Sequence, residues 1–260
     1  MSGAPDRSWW AGPAESFALL TSLRVPAAAS ARGVLPWAPL VGLVLGAGAT
    51  AVAWAAGRAA SPLVGAVLGV AVLAWLTRGL HLDGLADTAD GLGPLRGRER
   101  ALQVMRAGDV GPFGVVALVL VLLLQVACLA QLLSMDGGWP ALAAATVTAR
   151  LAMTSTGLPG VPIAEGSSLG QAVAGTVSRA WLAVAALLTV AAAVAAGLLV
   201  SADPTAALVL AAAVAAGLSA SQALSARAVD RLGGVNGDVM GAMGEVAATV
   251  TLLTAALLLG

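Results

Sequence analysis

Charge is what this chain has least of. Only 10% of its 260 residues are Asp, Glu, Lys or Arg, against about 25% in a soluble domain. In contrast, 59% are hydrophobic and the mean hydropathy is +0.94. That excludes an ordinary soluble globule and describes a polytopic helical membrane protein. Lysine is missing altogether: all 13 basic residues are arginine, matched by 13 acids for a net charge of zero. A chain without excess positive charge has no footprint for nucleic acid. High Ala and Gly with Arg in place of Lys reflects a GC-rich genome rather than a function. The single cysteine, Cys128, sits in an apolar run, which excludes a disulfide framework and a thiol metal site. The opening MSGAPDRSWWAGPAES lacks a basic segment followed by an apolar one, so no cleavable signal peptide is expected. There is no internal repeat, low-complexity tail or second domain, and residues 1–260 read as one integral membrane domain.

What the chain does have is apolar runs. Residues 9–32 are too polar to span. Trp9, Trp10, Phe17, Leu19, Leu20 and Leu23 suit an N-terminal helix lying in the interface, ended by Pro26. Runs at 35–57, 63–77, 112–135, 139–158, 180–200, 205–226 and 239–259 then predict about seven transmembrane helices, each judged against a hydrocarbon core of about 30 Å. The second can complete its length only by running into the polar stretch after it. Polar loops are expected at 93–111 (with a short helix over 98–106), 159–178 and 227–238. With the N-terminus in the cytoplasm, Arg24, Arg32, Arg78, Arg96, Arg98, Arg100, Arg106, Arg179, Arg227 and Arg231 fall inside and Arg58 outside, the asymmetry of a bacterial cytoplasmic-membrane protein. Every long polar loop falls on that inner side. Among the acids beyond the N-terminal segment, Asp136 and Asp203 are the exceptions. The active site is therefore expected at the cytoplasmic face.

The chain is organised around residues 78–92, RGLHLDGLADTADGL. As a helix, it places Asp83, Asp87 and Asp90 at i, i+4 and i+7, within roughly a 60° arc at about 100° per residue. His81, Leu85 and Leu92 point to the other side. Three carboxylates on one face repel each other. A solvated acidic face is the bland alternative. In a chain so poor in charge, a hard divalent cation such as Mg²⁺, which takes oxygen ligands and is completed by water and phosphates, is the better account.

Three further polar segments lie on the same side. MRAGDVGPFG (105–114) carries Arg106 and Asp109 just before a span. In 159–170, glycines with Ser167 and Ser168 could bring backbone N–H groups to an anion, although such loops are more often plain turns. GGVNGDVMGAMGE (233–245) carries Asn236, with Asp238 and Glu245 again i, i+7. Arg150 and Glu245 lie inside predicted spans, where ionisable groups usually face a functional cavity or each other; a structural ion pair between them is the alternative. His81, on the apolar side of its helix, reads more readily as a packing residue than as a metal ligand. Acids for Mg²⁺, arginines for phosphate and a membrane body together point to transfer of a phosphate-linked group at the membrane surface.

HLDGLADTADGL, followed by RERALQVMR and GPFGV, resembles the cobalamin synthase (adenosylcobinamide-GDP ribazoletransferase) family. The opening FALLTSLRVP and the late GDVMGAMGE match its other conserved elements, and the resemblance covers nearly the whole chain. It implies a Mg²⁺-dependent membrane enzyme of the last step of nucleotide-loop assembly. That step joins α-ribazole, or its 5′-phosphate, to adenosylcobinamide-GDP and releases GMP, with the α-ribazole 5′-hydroxyl expected to attack the cobinamide-side phosphorus. Asp83, Asp87 and Asp90 would hold the metal, and one of them, or Asp238 or Glu245, would accept the hydroxyl proton. Arg78, Arg106 and Arg150, with His81 and Asn236, would bind substrate or phosphate oxygens. Association with other cobalamin-assembly enzymes is left open. The segment after Met105 departs from the family's charged pair, since Arg106 precedes Ala107 and Gly108, and Asp109 is given no catalytic role. A CDP-alcohol phosphotransferase would need an A-R step after D-G-x-x and more widely spaced acids. A prenyltransferase would need acid clusters on two loops, and a membrane transporter would need paired broken helices at mid-membrane.

Overall fold

The chain turns a sharp corner at Arg78 and Gly79, and that corner decides where its acids stand. The computed structural model describes residues 10–26, 30–94, 97–201 and 204–260. Upstream of the corner, α1 (Ala11–Leu20) leads to α2 (Val34–Ala59) and α3 (Pro62–Leu76). Helix α3 starts where its sequence says it should: Ser61 Oγ accepts the Val64 N–H at 3.2 Å and Pro62 occupies the first turn, where a missing N–H costs nothing. At its far end Arg78 has φ 55° and Gly79 φ 67°. A left-handed arginine costs roughly 1–2 kcal/mol, and it is held by its own Nη2, which donates to Leu19 O at 2.9 Å. The Ser22 N–H donates to Leu76 O at 2.7 Å beside it. Helix α4 (Leu80–Leu92) then leaves at 89° to α3. It turns across the end of α3 and is not itself a span.

Downstream follow α5 (Arg98–Met105), α6 (Pro112–Leu133), α7 (Ala141–Thr154), a 3₁₀ turn at Ser155–Gly157, α8 (Ser168–Val173), α9 (Arg179–Ser201), α10 (Pro204–Leu232) and α11 (Gly237–Leu259). The only pairing of extended backbone among the described residues is an isolated bridge, Ile163 with Val235. Helix α11 is central, packing on α4, α6, α7 and α10. Small residues set the close approaches, as expected where lipid gives helices no hydrophobic reason to associate. A Cβ at Gly42 of α2 would lie 2.9 Å from Thr146 O of α7, and one at Gly46 would lie 3.1 Å from Ala143 Cα. The outer faces are apolar and bare, with Leu123, Leu187, Leu199 and Leu208 all more than 60% exposed. In water these faces would aggregate; facing acyl chains, they are at home.

All-helical architecture is as expected, but the count of crossings is not met. Five helices, α2, α6, α9, α10 and α11, are long and apolar enough to cross, or six if the bent pair α3–α4 is taken as one broken span. Each of the seven predicted runs contains a helix, yet α3 has 15 residues and α7 only 14. At 1.5 Å per residue that is about 21–23 Å. The predicted loop after 226 is instead the last part of α10, which continues to Leu232 and stops at Gly233, φ 82°. An interfacial N-terminal helix is not confirmed either. Helix α1 ends at Leu20, before Pro26, and buries Glu15 and Ser16. Glu15 accepts the Gly33 N–H at 2.7 Å, and Ser16 Oγ donates to Val34 O at 2.8 Å, which ties α1 to the start of α2. Trp9, Arg96 and Asp203 lie outside the described residues.

Candidate active site

Helix α4 forms as its spacing predicts, and burial grades along its acidic face. Asp83 is exposed, Asp87 is 9% exposed and Asp90 4%. What grades them is packing on two other helices. Gly84 presses on the first turn of α11, where a Cβ would come within 2.7 Å of Asp238 O, and a Cβ on Gly241 would lie 3.1 Å from His81 Cα. This contact of two backbones puts Asp238 beside Asp83 and Asp87. Burial, then the like charges of Asp238, Asp83 and Asp90, push the Asp87 pKa up to about 6. Asn236 completes this corner: its Oδ1 accepts the Val239 N–H and caps α11, and its Nδ2 donates to Asp238 Oδ2, both at 2.9 Å.

Asp90 faces elsewhere. Its Oδ2 accepts the Gly111 N–H at 2.7 Å at the start of α6, and a Cβ on Gly111 or Gly114 would collide with its carboxylate. An anion at a helix N-terminus is stabilised there, so Asp90 already has a partner. Among the described residues, no three His, Cys, Asp or Glu side chains stand close enough to share one ion. The sequence trio is therefore not a ready-made metal cage. The acids left at this corner are Asp83 and Asp87 of α4 and Asp238 of α11, whose Oδ2 accepts from Asn236. As an all-oxygen, mutually repulsive set, they have the donor chemistry of a hard divalent cation.

Next to Asp238 opens a polar cavity of about 180 Å³, bounded by Arg106, Glu165, Ser167, Ser168, Asn236 and Asp238. Three segments that the sequence keeps far apart meet there. Arg106 closes one side, donating from Nη2 to Glu165 O against Gly166, whose φ of 76° and missing Cβ make room for the guanidinium. The loop is pinned to α11's approach by Val235 N–H to Pro162 O at 2.9 Å and Ala164 N–H to Val235 O at 3.0 Å. Ser167 Oγ accepts the Gly170 N–H at 3.1 Å, capping α8. A guanidinium, two hydroxyls, backbone N–H groups and the start of a 23-residue helix make this a place for phosphate oxygens.

The other expected site residues lie outside it. Arg78 serves the α3–α4 corner. His81 is 3% exposed, beneath Gly241, with Nδ1 unpartnered. Arg150 is 4% exposed and its Nε has no partner. With Glu245, Gln125 and Thr146 it lines a separate internal cavity of about 40 Å³. Arg150 and Glu245 make no direct ion pair; Gln125 Nε2 instead donates to Glu245 Oε2 at 2.9 Å and to Thr249 Oγ1 at 3.0 Å. Glu245 lies seven residues, about 10 Å, along α11 from Asp238. Gln125 is the residue the sequence reading passed over. Its signal was a lone amide inside an apolar run.

The fold and this corner define a class: a polytopic helical membrane protein with carboxylates and a polar, arginine-bounded cavity gathered at one end of the bundle. The cobalamin-5-phosphate synthase family model matches residues 13–256, and the chain belongs to that family. Similar proteins named adenosylcobinamide-GDP ribazoletransferase include one from Frankia casuarinae, 40% identical over 231 residues (85% of this chain, 83% of the relative). One from a Nocardioides species is 41% identical over 227 residues (86% of each). One from a Roseiflexus species is 36% identical over 259 residues (95% of this chain, 91% of the relative). No solved structure matches the chain.

Proposed function

We propose that this chain transfers the adenosylcobinamide-phosphate group from adenosylcobinamide-GDP to α-ribazole or its 5′-phosphate, releasing GMP. Its family and the shared name of its relatives support the reaction. The observation that carries the mechanism is the meeting of Arg106, the 165–168 loop and Asn236–Asp238 in one cavity against Asp83 and Asp87. Arg106 and the loop N–H groups bind the diphosphate oxygens and turn the cobinamide-side phosphorus toward the acceptor. The expected 5′-hydroxyl attack does not serve both acceptors, because a 5′-phosphorylated acceptor has no 5′-hydroxyl to give; the nucleophile common to both is a secondary ribose hydroxyl. Its oxygen bonds to phosphorus as the bond to the GMP oxygen breaks. Asp87, beside Asp83 and Asp238, takes the hydroxyl proton. One or two of Asp83, Asp87 and Asp238 would hold Mg²⁺, completed by water and substrate phosphates, and the ion would neutralise the diphosphate. Arginine asymmetry supports a bacterial cytoplasmic membrane with N-terminus and site inside.

The test uses purified protein in nanodiscs with adenosylcobinamide-GDP, either acceptor and Mg²⁺, following GMP and the corrin product by chromatography. Product that is lost with EDTA and in Asp83→Asn supports the reading. No product from well-folded protein with either acceptor overturns it.

A further inference from the structure

A groove of about 550 Å³ runs between α2, α7 and α9, within the ~300–1,000 Å³ of ligand-sized cavities. Its walls are small and apolar, with Ala143, Ala144, Ala192 and Ala196 among them, and no charged residue lines it. Its one hydroxyl, on Thr189, already donates to Ala185 O at 2.8 Å. Nothing inside the groove is left for a polar ligand. Small facing residues ordinarily let membrane helices close on each other; here tryptophan stands at either end. At one end Trp37 and Trp181 sit with ring centroids 5.9 Å apart, and Trp181 Nε1 donates to Pro36 O at 2.9 Å. At the other end is Trp139, just before α7, whose far terminus at Thr154 is bonded to Leu35 O at the start of α2. From Trp181 to Ala196 the groove follows α9 for fifteen residues, roughly 22 Å. One leaflet contributes about 15 Å of a hydrocarbon core of about 30 Å.

The Trp37–Trp181 end is also the charged end. Arg32 lies four residues before Pro36, and Arg179 opens α9 two residues before Trp181. Both are exposed, and neither guanidinium has a hydrogen bond or ion pair to a described residue. Glu15, beside Gly33, is buried and takes the Gly33 N–H at 2.7 Å. Two cations therefore flank the mouth against one buried, engaged carboxylate. Tryptophan favours the headgroup level of a bilayer, and basic pockets between membrane helices hold anionic headgroups.

We propose that this groove binds one anionic phospholipid. An acyl chain lies along α9 between Trp181 and Trp139, and the phosphodiester sits at the mouth between Arg32 and Arg179. Spread over roughly 22 Å, 550 Å³ gives a mean section of about 25 Å², which admits an extended chain but not a helix of a second copy, about 10 Å across. A zwitterionic lipid fits the same groove but brings its own ammonium, so headgroup charge is what the mouth selects. The bound lipid bridges α2 and α9, which the Trp181–Pro36 hydrogen bond joins at that end.

The experiment titrates the purified full chain, delipidated in detergent, with phosphatidylglycerol and with phosphatidylcholine of the same acyl chains, and counts bound lipid by native mass spectrometry. The parent should hold one phosphatidylglycerol about thirtyfold more tightly than phosphatidylcholine, the combined effect of two arginines at a membrane surface. Arg32→Gln and Arg179→Gln should each cut that preference about fivefold, and the double variant should bring it within twofold of none. Thermal midpoints without lipid should not move, because neither guanidinium has a protein partner. Ala192→Trp fills the groove from its exposed side and should abolish retention of both lipids. Equal affinity for the two lipids in the parent, or a preference that survives the double arginine variant, overturns the headgroup site. Undiminished retention in Ala192→Trp overturns the groove. A parent that holds no lipid but forms a dimer, split by Ala192→Trp in mass photometry, gives the groove to a second copy and overturns the proposal as well.

Discussion

Gly84 of α4 and Asp238 of α11 touch backbone to backbone: a Cβ on Gly84 would stand 2.7 Å from Asp238 O and 2.9 Å from its Cα. Neither atom is the free end of a flexible side chain, so the two helices must part to admit even a methyl group. Gly84→Ala should therefore cost about 1–3 kcal/mol by overpacking and spread the Asp83–Asp87–Asp238 corner. We expect at least a tenfold loss of GMP release together with a lowered thermal midpoint in detergent. Parental turnover in Gly84→Ala would show that the acids need not be held at this spacing.

Asp87 gives a pH signature in cation-free protein. Its ordinary pKa of 3.8 rises to about 6 in the fold, so the folded state binds this proton more tightly than the unfolded one. The resulting stability is present below the ordinary pKa and is lost as pH rises through about 6. Asp87→Asn keeps the neutral form at every pH. Its thermal midpoint in EDTA should exceed that of the parent by a gap that opens between about pH 4 and pH 6.5 and then levels, on the order of a few degrees. Mg²⁺ should close part of that gap at pH 8 by stabilising the parent alone. A pH-independent difference would remove the electrostatic explanation.

Asp83 and Asp90 should separate cleanly, although the sequence puts them on one helix face. Asp83 is exposed and free; Asp90 is buried and holds the Gly111 N–H. Asp90→Ala should lower stability by about 1.5–3 kcal/mol, the range for a hydrogen bond to a charged group. Asp83→Asn should leave the thermal midpoint within a degree or two and abolish turnover. Equal stability losses in the two would mean that Asp83 too has a structural partner.

How far the sequence reveals this arrangement can be followed residue by residue. Period alone placed the three aspartates on one face of α4, and the helix is there. Period could not say that α6 would meet that face at Asp90 and α11 at Gly84, because both are contacts between distant segments. The Gly-Ser loop at 159–170 has the composition of an anion site, but the guanidinium beside it comes from Arg106, 59 residues away from Glu165, which period does not reveal. Helix α3 was read as running into the acids; the left-handed Arg78 and Gly79 turn the chain through 89° instead. Span counting failed where helices are short: α7 is apolar enough to be predicted as a span, yet it ends at Thr154, whose Oγ1 donates to Leu35 O at 2.9 Å. Polar residues at 227–231 suggested a loop, but polar residues continue a helix readily once it leaves the apolar layer.

Arg150 and Glu245 provide the last test, because they are ionisable residues buried inside the bundle and outside the polar cavity. They share a cavity of about 40 Å³, which exceeds the ~10–15 Å³ a water needs, and Arg150 Nε has no protein partner. Removing one charge leaves the other buried alone. Arg150→Met and Glu245→Gln should each destabilise by about 1–3 kcal/mol. The double variant should lose less than the sum, since each substitution removes the charge the other left behind. Their coupling should appear in thermal midpoints rather than in KM for either substrate. A phosphate-binding role for Arg150 predicts the reverse, a raised donor KM in Arg150→Met with no coupling to Glu245. The structure favours the first result: Gln125 joins Glu245 to α6, and the polar cavity beside Asp238 is walled without Arg150.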